Sequence, residues 1–282
     1  ADNTVLATDK NIYIPTTTQK NASQNAADLL RRMAIPQLVI NPGDNSVKDV
    51  FGNSVPVFIN YYEAQPDELK GMKMTDVRKI EYIEFPTDPR FKGMQRVVNI
   101  IVQEYEYGGY TKASESIRTI NGLFNNTDVF SRFTYKKMTY DVYASSENHD
   151  FHHNGYDNSA VYRLDDKGTP LEVTRKEAFK DSHTRSNEYP LTLRASYNSP
   201  RFTARNTLSF THYSSPEQLS CGDLNVNIHP ENNYTYSRNT PNRNNTIYYT
   251  SNFWSAIGTK ASFDVTPSFR HTHRNNTSAY ES

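Results

Sequence analysis

The sequence predicts an α+β unit followed by antiparallel transmembrane β-barrel strands that do not complete a barrel. Three observations carry that reading. Residues 77–110, VRKIEYIEFPTDPRFKGMQRVVNIIVQEYEYGGY, hold two short apolar strand patterns around a bend where Pro86 and Pro89 forbid a continuing helix or ladder. Beyond Gly108-Gly109, apolar and polar residues alternate along stretches separated by turn signals. The links between those stretches fall into a short and a long class, as the two ends of a membrane barrel require.

Composition fits without deciding. The chain has 282 residues, a formal net charge of +0, 35% hydrophobic and 12% aromatic residues. That balance gives no footprint for nucleic acid, and no apolar run approaches the roughly 20 residues of a spanning helix. A barrel escapes that requirement, since only every second strand residue faces lipid. The single cysteine, Cys221, excludes a disulfide framework within the chain. Ala1-Asp2-Asn3 opens without a signal-peptide pattern, so an exported protein is expected here in mature or cropped form.

In the first part, residues 12–14 read as a short strand. A helix capped by Asn21 then runs to Ala34 and is stopped by Pro36. Residues 38–40 and 47–50 are short strands around a turn at 41–44, and 55–60 is a third strand. Residues 67–72 and 76–79 read as helical turns. No phosphate loop and no HExxH motif occurs. Glu81 and Glu84, three apart on a strand, point to opposite faces and make poor acid/base partners. No catalytic constellation appears, no cofactor is implied, and the chain is not expected to be an enzyme.

Residues 21–110 resemble the plug domain of TonB-dependent outer-membrane receptors. The resemblance is carried by NAADLLRRM, SVPVFIN and DVRKIEYIEFPTDPRFKGMQRVVNIIVQ, with matching positions Lys79, Ile80, Glu81, Pro86, Gly93, Val98, Asn99 and Ile100. Phe85 stands where glycine commonly precedes the proline, and Gln95-Arg96 replaces paired glycines. FPTDPRFKG followed by YEYGGYTK is similar to a Bacteroidota-type subgroup. The resemblance implies a bacterial outer-membrane location and energised uptake of a nutrient or chelate. It also implies partnership with a TonB-type inner-membrane energy-coupling complex and with outer-membrane lipid, and it leaves room for a surface lipoprotein. The family's N-terminal pulling sequence is not identifiable in 1–13. The expected division is an N-terminal periplasmic segment 1–20, a plug domain 21–107 and barrel strands 108–282.

Seven barrel strands are expected, within 110–120, 123–134, 138–146, 189–197, 201–213, 246–257 and 259–274. Met138, Tyr140, Val142 and Ala144 alternate with Thr139, Asp141, Tyr143 and Ser145, the first set being expected to face lipid. Short links lie at 135–137, 198–200 and around Gly258, and long polar links at 147–188 and 214–245. An odd count cannot close an antiparallel bacterial barrel, and plugged transporters use about 22 strands. The chain is therefore expected to be an N-terminal fragment of a longer receptor.

His149, His152 and His153 cluster near Asp150 and Asp157, and His271 and His273 share a strand face. Imidazole and carboxylate suit several transition metals, but this spacing fixes no geometry, and a polar surface loop without metal is the adopted reading. Tyr234, Tyr236 and Trp254 are candidate ligand contacts, Trp254 alternatively an interfacial anchor. Two competing readings stay open: a surface barrel that transports nothing, and a secreted β-rich binding protein.

Overall fold

The computed structural model describes residues 4–6, 10–41, 45–91, 93–120, 122–166, 169–199, 201–228, 231, 233–258 and 261–281. Parts of the 1–20 segment, the turn at 42–44, Pro200 and the start of the seventh strand at 259–260 lie outside those residues.

Strands β1 (Thr4–Leu6) and β2 (Asn11–Tyr13) pair antiparallel. Two helices follow where one is expected: α1 (Thr17–Ala22), opened by a capping box between Thr16 and Gln19, and α2 (Ala26–Met33), capped by Asn25 rather than Asn21. The break has a local cause. The Ser23 hydroxyl donates to Gln19 O at 2.6 Å, and the Asn25 side chain offers Asp28 N a cap, so both residues compete with the helix for its own backbone. Ala34 ends α2 in the left-handed conformation, two residues before Pro36.

The remaining elements are β3 (Leu38–Ile40), β4 (Val47–Asp49), β5 (Val57–Ile59), β6 (Tyr62–Glu63), α3 (Pro66–Gly71), β7 (Val77–Glu84) and β8 (Arg96–Val102). They follow expectation closely, except that β5 is shorter than the expected 55–60 and β6 is an additional strand. The helical turn expected at 76–79 is a 3-10 turn at Met74–Asp76, and β7 already begins at Val77. One sheet runs in the order β1-β2-β7-β8-β5-β6, with β5 and β8 parallel. Both of its faces are covered. Ile80, Tyr82, Val98, Ile100, Val57 and Ile59 pack with Leu29 and Leu30 of α2 on one side, and Phe58, Ile83, Phe91 and Val97 pack on the other.

Past Gly108-Gly109 the chain enters a second sheet of much longer strands. These are β9 (Tyr107–Arg118), β10 (Gly122–Tyr135), β11 (Met138–His152), β12 (Asn158–Asp166), β13 (Thr169–Asn198), β14 (Phe202–Val226), β15 (Tyr234–Asn239), β16 (Asn242–Ile257), β17 (Ala261–Val265), β18 (Ser268–Asn276) and β19 (Ala279–Glu281). All pairings are antiparallel along β17-β16-β14-β13-β11-β10-β9, and among the described residues the two edges do not pair with each other. The seventh expected strand is split into β17 and β18, which share one register against β16. Pro267, lacking an N–H, sits at the break while its carbonyl still accepts from Ser251 N at 3.0 Å.

The long polar links are the main correction. Residues 147–188 and 214–245 are largely ladder: β11 and β13 stay paired to His152↔His183, β12 folds back on β13, and β15 pairs with the far end of β14. Polar strands that need no apolar face leave no hydropathy alternation to read, although their backbone pairs as well as any other.

Candidate functional site

Strand period sorts the long sheet into two faces of opposite chemistry. One face carries Val129, Phe133, Tyr140, Val142, Leu191, Leu193, Leu208, Phe210, Ile247 and Tyr249, all exposed. The other carries Asn126, Asp128, Phe130, Asp141, Ser145, Arg194, Thr203, Arg205 and Thr207, all buried. What buries the second, inner face is the α+β unit.

Contact is made chiefly through α3. Pro66 and the Gln65–Glu68 capping box start this helix, which places Asp67 and Glu68 in its first turn. Three arginines from three strands converge on them. Arg132 of β10 donates to Glu68 Oε1 at 3.1 Å and to Asp141 at 2.7 and 2.8 Å. Arg194 of β13 holds both Asp67 oxygens at 3.1 and 3.0 Å and reaches Asp141 at 3.3 Å. Arg205 of β14 pairs with Glu68 and donates to Glu63 O at 2.9 Å. Lys70 meets Asp128, and Lys112 donates to the carbonyls of Gln24 and Lys70.

Three guanidiniums thus face three carboxylates in a buried cluster. Burial pushes the Glu68 carboxyl up, but Arg205, Arg194 and Arg132 outweigh it and hold the pKa at about 2, below the usual 4.5. Asp67 goes the other way: burial raises it and Arg194 offsets that only in part. Removing one partner of such a cluster leaves buried charge uncompensated, at a cost of about 3–5 kcal/mol. Gly71 closes α3 directly against Phe130; a Cβ there would fall 2.2 Å from Phe130 Cγ, so the close approach requires glycine. Beside the cluster a cavity of about 1020 Å³ opens between the two sheets, reaching Glu68, Arg132 and Arg205 at one end and Lys136 and Tyr197 at the other.

The motif positions read from sequence lie inside the small unit, away from this interface. Ile80, Val98 and Ile100 are core. Lys79 and Lys10 reach Glu81 at 2.7 and 3.0 Å, and Asn99 donates to Glu81 at 3.1 Å while accepting from Tyr61 N at 3.0 Å. Burial raises the Glu81 pKa, and the two lysines bring it net below its ordinary value. This network holds the β5–β6 turn, where Asn60 and Tyr61 both have positive φ. Gly93, at φ +83°, and Pro86 shape the bend, and Phe85 takes φ 51°, a conformation that favours glycine.

The other candidates are not brought together. Tyr236 donates to Glu177 at 2.8 Å and lines a polar cavity of about 410 Å³ on the far part of β13 and β14. Tyr234 is exposed nearby. Trp254 pairs with Thr203, roughly 60 Å away along β14. His149 stacks edge-on against Phe124, and His153 meets Asp181 at 2.6 Å. His152 instead joins Asp150 and His183 of β13, a residue that sequence proximity does not reveal. The charge cluster was equally invisible, its strand arginines lying 64–137 residues from the α3 carboxylates they hold.

No protein-family model matches the chain, and no curated protein matches it. Among solved structures it is similar to the siderophore receptor PirA from Pseudomonas aeruginosa, with 12% identity and TM-score 0.34 over 97% of this chain and 60% of that one. It is similar to the ferric yersiniabactin uptake receptor FyuA from Yersinia pestis, with 13% identity and TM-score 0.32 over 99% and 58%. It is also similar to the ferric-catecholate import receptor Fiu from E. coli K12, with 10% identity and TM-score 0.30 over 96% and 50%. The chain spans at most 60% of the length of these three proteins, and likenesses at such TM-scores carry no assignment.

Proposed function

We propose that this chain forms the plug and part of the wall of a TonB-dependent outer-membrane receptor, which imports a nutrient or chelate when an inner-membrane energy-coupling complex acts on the plug. The observation that supports it is the placement of α3: Asp67 and Glu68 are gripped by Arg132, Arg194 and Arg205 on the polar face of a sheet whose other face is apolar. A polar, charge-latched contact can release without exposing a greasy core, which is what a gate needs and a permanent domain interface does not. In this reading the exposed residues Leu191, Leu193, Leu208 and Phe210 meet lipid. The protein's work is then binding and gating, with no bond-making step.

The test is a reversible lock. Gly71 and Phe130 are close enough that a Gly71→Cys/Phe130→Cys pair, with Cys221→Ser, lies within about 1 Å of the roughly 3.8 Å Cβ separation of a disulfide. Cells producing the oxidised variant should localise it to the outer membrane and lose energised uptake, and a reductant should restore uptake. Uptake that continues through a formed cross-link overturns the gate. Fractionation outside the outer membrane overturns the receptor reading altogether and favours a secreted binding protein.

A further inference from the structure

We infer that Asp150, His152 and His183 form a site for a borderline divalent cation of the zinc–copper class, with Glu217 orienting His183, on the outer face of the strand extensions. The inference stands on strand geometry and does not depend on the receptor reading.

Register builds the site. His152, the last residue of β11, lies directly across from His183 on β13, and Asp150 lies two residues back on the same face. Asp150 Oδ1 is 2.8 Å from His183 Nε2 and 3.2 Å from His152 Nε2, and the three ligand atoms all lie within 4.8 Å of one another. A tetrahedral ion with bonds of about 2.0–2.2 Å holds its ligand atoms about 3.3–3.6 Å apart, so Asp150 and His183 need to part by less than about 1 Å to admit one. Glu217 Oε2 lies 3.0 Å from His183 Nδ1. A carboxylate accepting that Nδ1–H fixes the tautomer and leaves the Nε2 lone pair for a metal, the usual arrangement behind a metal-bound histidine.

One oxygen of Asp150 faces two Nε2 atoms, and the His152 and His183 rings stack at 4.1 Å with 12° between their planes. Both nitrogens therefore sit beside the same carboxylate, where one ion is within reach of all three ligand atoms. Arg185, across from both Asp150 and Glu217, is the one cation set against it by register. His152 is 65% exposed at its side chain, so its ring is free to turn onto the ion and the fourth position stays open to water. The site lies roughly 20–25 Å beyond Ala144 along β11 and on the face opposite the small unit. An ion there ties the end of β11 to β13 and is off any route through the inner cavity.

The test uses the tag-free chain in detergent, stripped with a chelator and titrated with Zn²⁺ by calorimetry. One saturable equivalent is expected, weakened at least tenfold by His183→Gln and by Asp150→Asn. It should be unchanged by His149→Gln, on the inner face, and by His153→Gln, whose contacts are to Asp181 and Phe179 and not to the three ligands. On the unaltered chain, Zn²⁺ should shield His152 and His183, but not His149, from diethyl pyrocarbonate, so the result does not hang on any variant folding. No saturable Zn²⁺ binding, or binding with no shielding of His152 and His183, overturns the site.

Discussion

The two parts of this molecule solve burial in opposite senses. In the small unit, Leu29, Leu30, Val77, Ile80, Val98 and Ile100 are wholly enclosed, and its few buried carboxylates are each paired: Glu81 with two lysines, Asp49 with Arg96, Asp28 with Arg31 and Arg32, and Glu68 with the strand arginines. In the long sheet the enclosed residues are Asp128, Asp141, Arg194 and Arg205, while leucines, tyrosines and phenylalanines stand exposed on the opposite face. One part is ordered by the exclusion of water from apolar side chains. The other has its apolar face turned outward, an arrangement that lowers free energy only if the surroundings are themselves apolar.

Breaking the latch between the two parts should have the largest effect. Glu68→Gln strands three guanidiniums against Asp67 and Asp141, and we expect a loss of about 3–5 kcal/mol in the docking of the small unit. Limited proteolysis of α3 against urea measures it; unchanged protection would show that the cluster does not hold the parts together.

Next come two substitutions that set one part against the other. Leu30→Ala removes enclosed methyl groups and should cost about 2–5 kcal/mol in detergent and liposomes alike. Leu193→Arg should cost about 2–4 kcal/mol in liposomes if that face meets lipid, whereas an aqueous surface position would change by only about ±0.5 kcal/mol. Equilibrium unfolding from liposomes decides between them.

Acid should loosen the contact before it unfolds the core. Glu68 is held at about 2 against its ordinary 4.5, so its contribution is complete above 4.5 and is lost as pH falls from there toward 2. Asp67, raised by burial, works in the opposite sense, since protonation relieves it as pH falls. The net expectation is undocking late in that window, read as pepsin cleavage within α3. Cleavage in α3 that stays flat from pH 5 to 2 would contradict it.

The smallest effect tests a local strain. Phe85 holds φ 51° with its side chain exposed, a conformation costing a non-glycine residue about 1–2 kcal/mol. Phe85→Gly should stabilise the small unit by about 0.5 kcal/mol after the greater chain entropy of glycine is counted, read as a slightly higher thermal midpoint. A lower midpoint would mean that the exposed ring does hold contacts.

What the sequence disclosed follows from range and period. The alternation of Met138 to Ala144 and of Leu191 to Tyr197 marked strands with one apolar and one polar face, because a period of two is a property of neighbouring residues alone. The strand ends beyond Ser146 and Tyr189 were hidden because both faces there are polar. The Asn25 cap lay four residues from the expected one, and Ser23 gave the only local sign of a break. Neither the arginine cluster nor His183 could be found from spacing, since only antiparallel register brings them to their partners.

Everything turns on which medium meets the outer face, and one scan measures it. With Cys221→Ser as background, a nitroxide placed singly at residues 139–144 and 190–194 in liposomes reports accessibility to oxygen, which concentrates in lipid, and to a water-soluble nickel chelate. A period of two is expected, with oxygen favoured at Tyr140, Val142, Leu191 and Leu193 and disfavoured at Tyr143 and Thr192, inner-face positions outside the charge cluster. Nickel access at Val142 and Leu193, or the absence of any period, would contradict it.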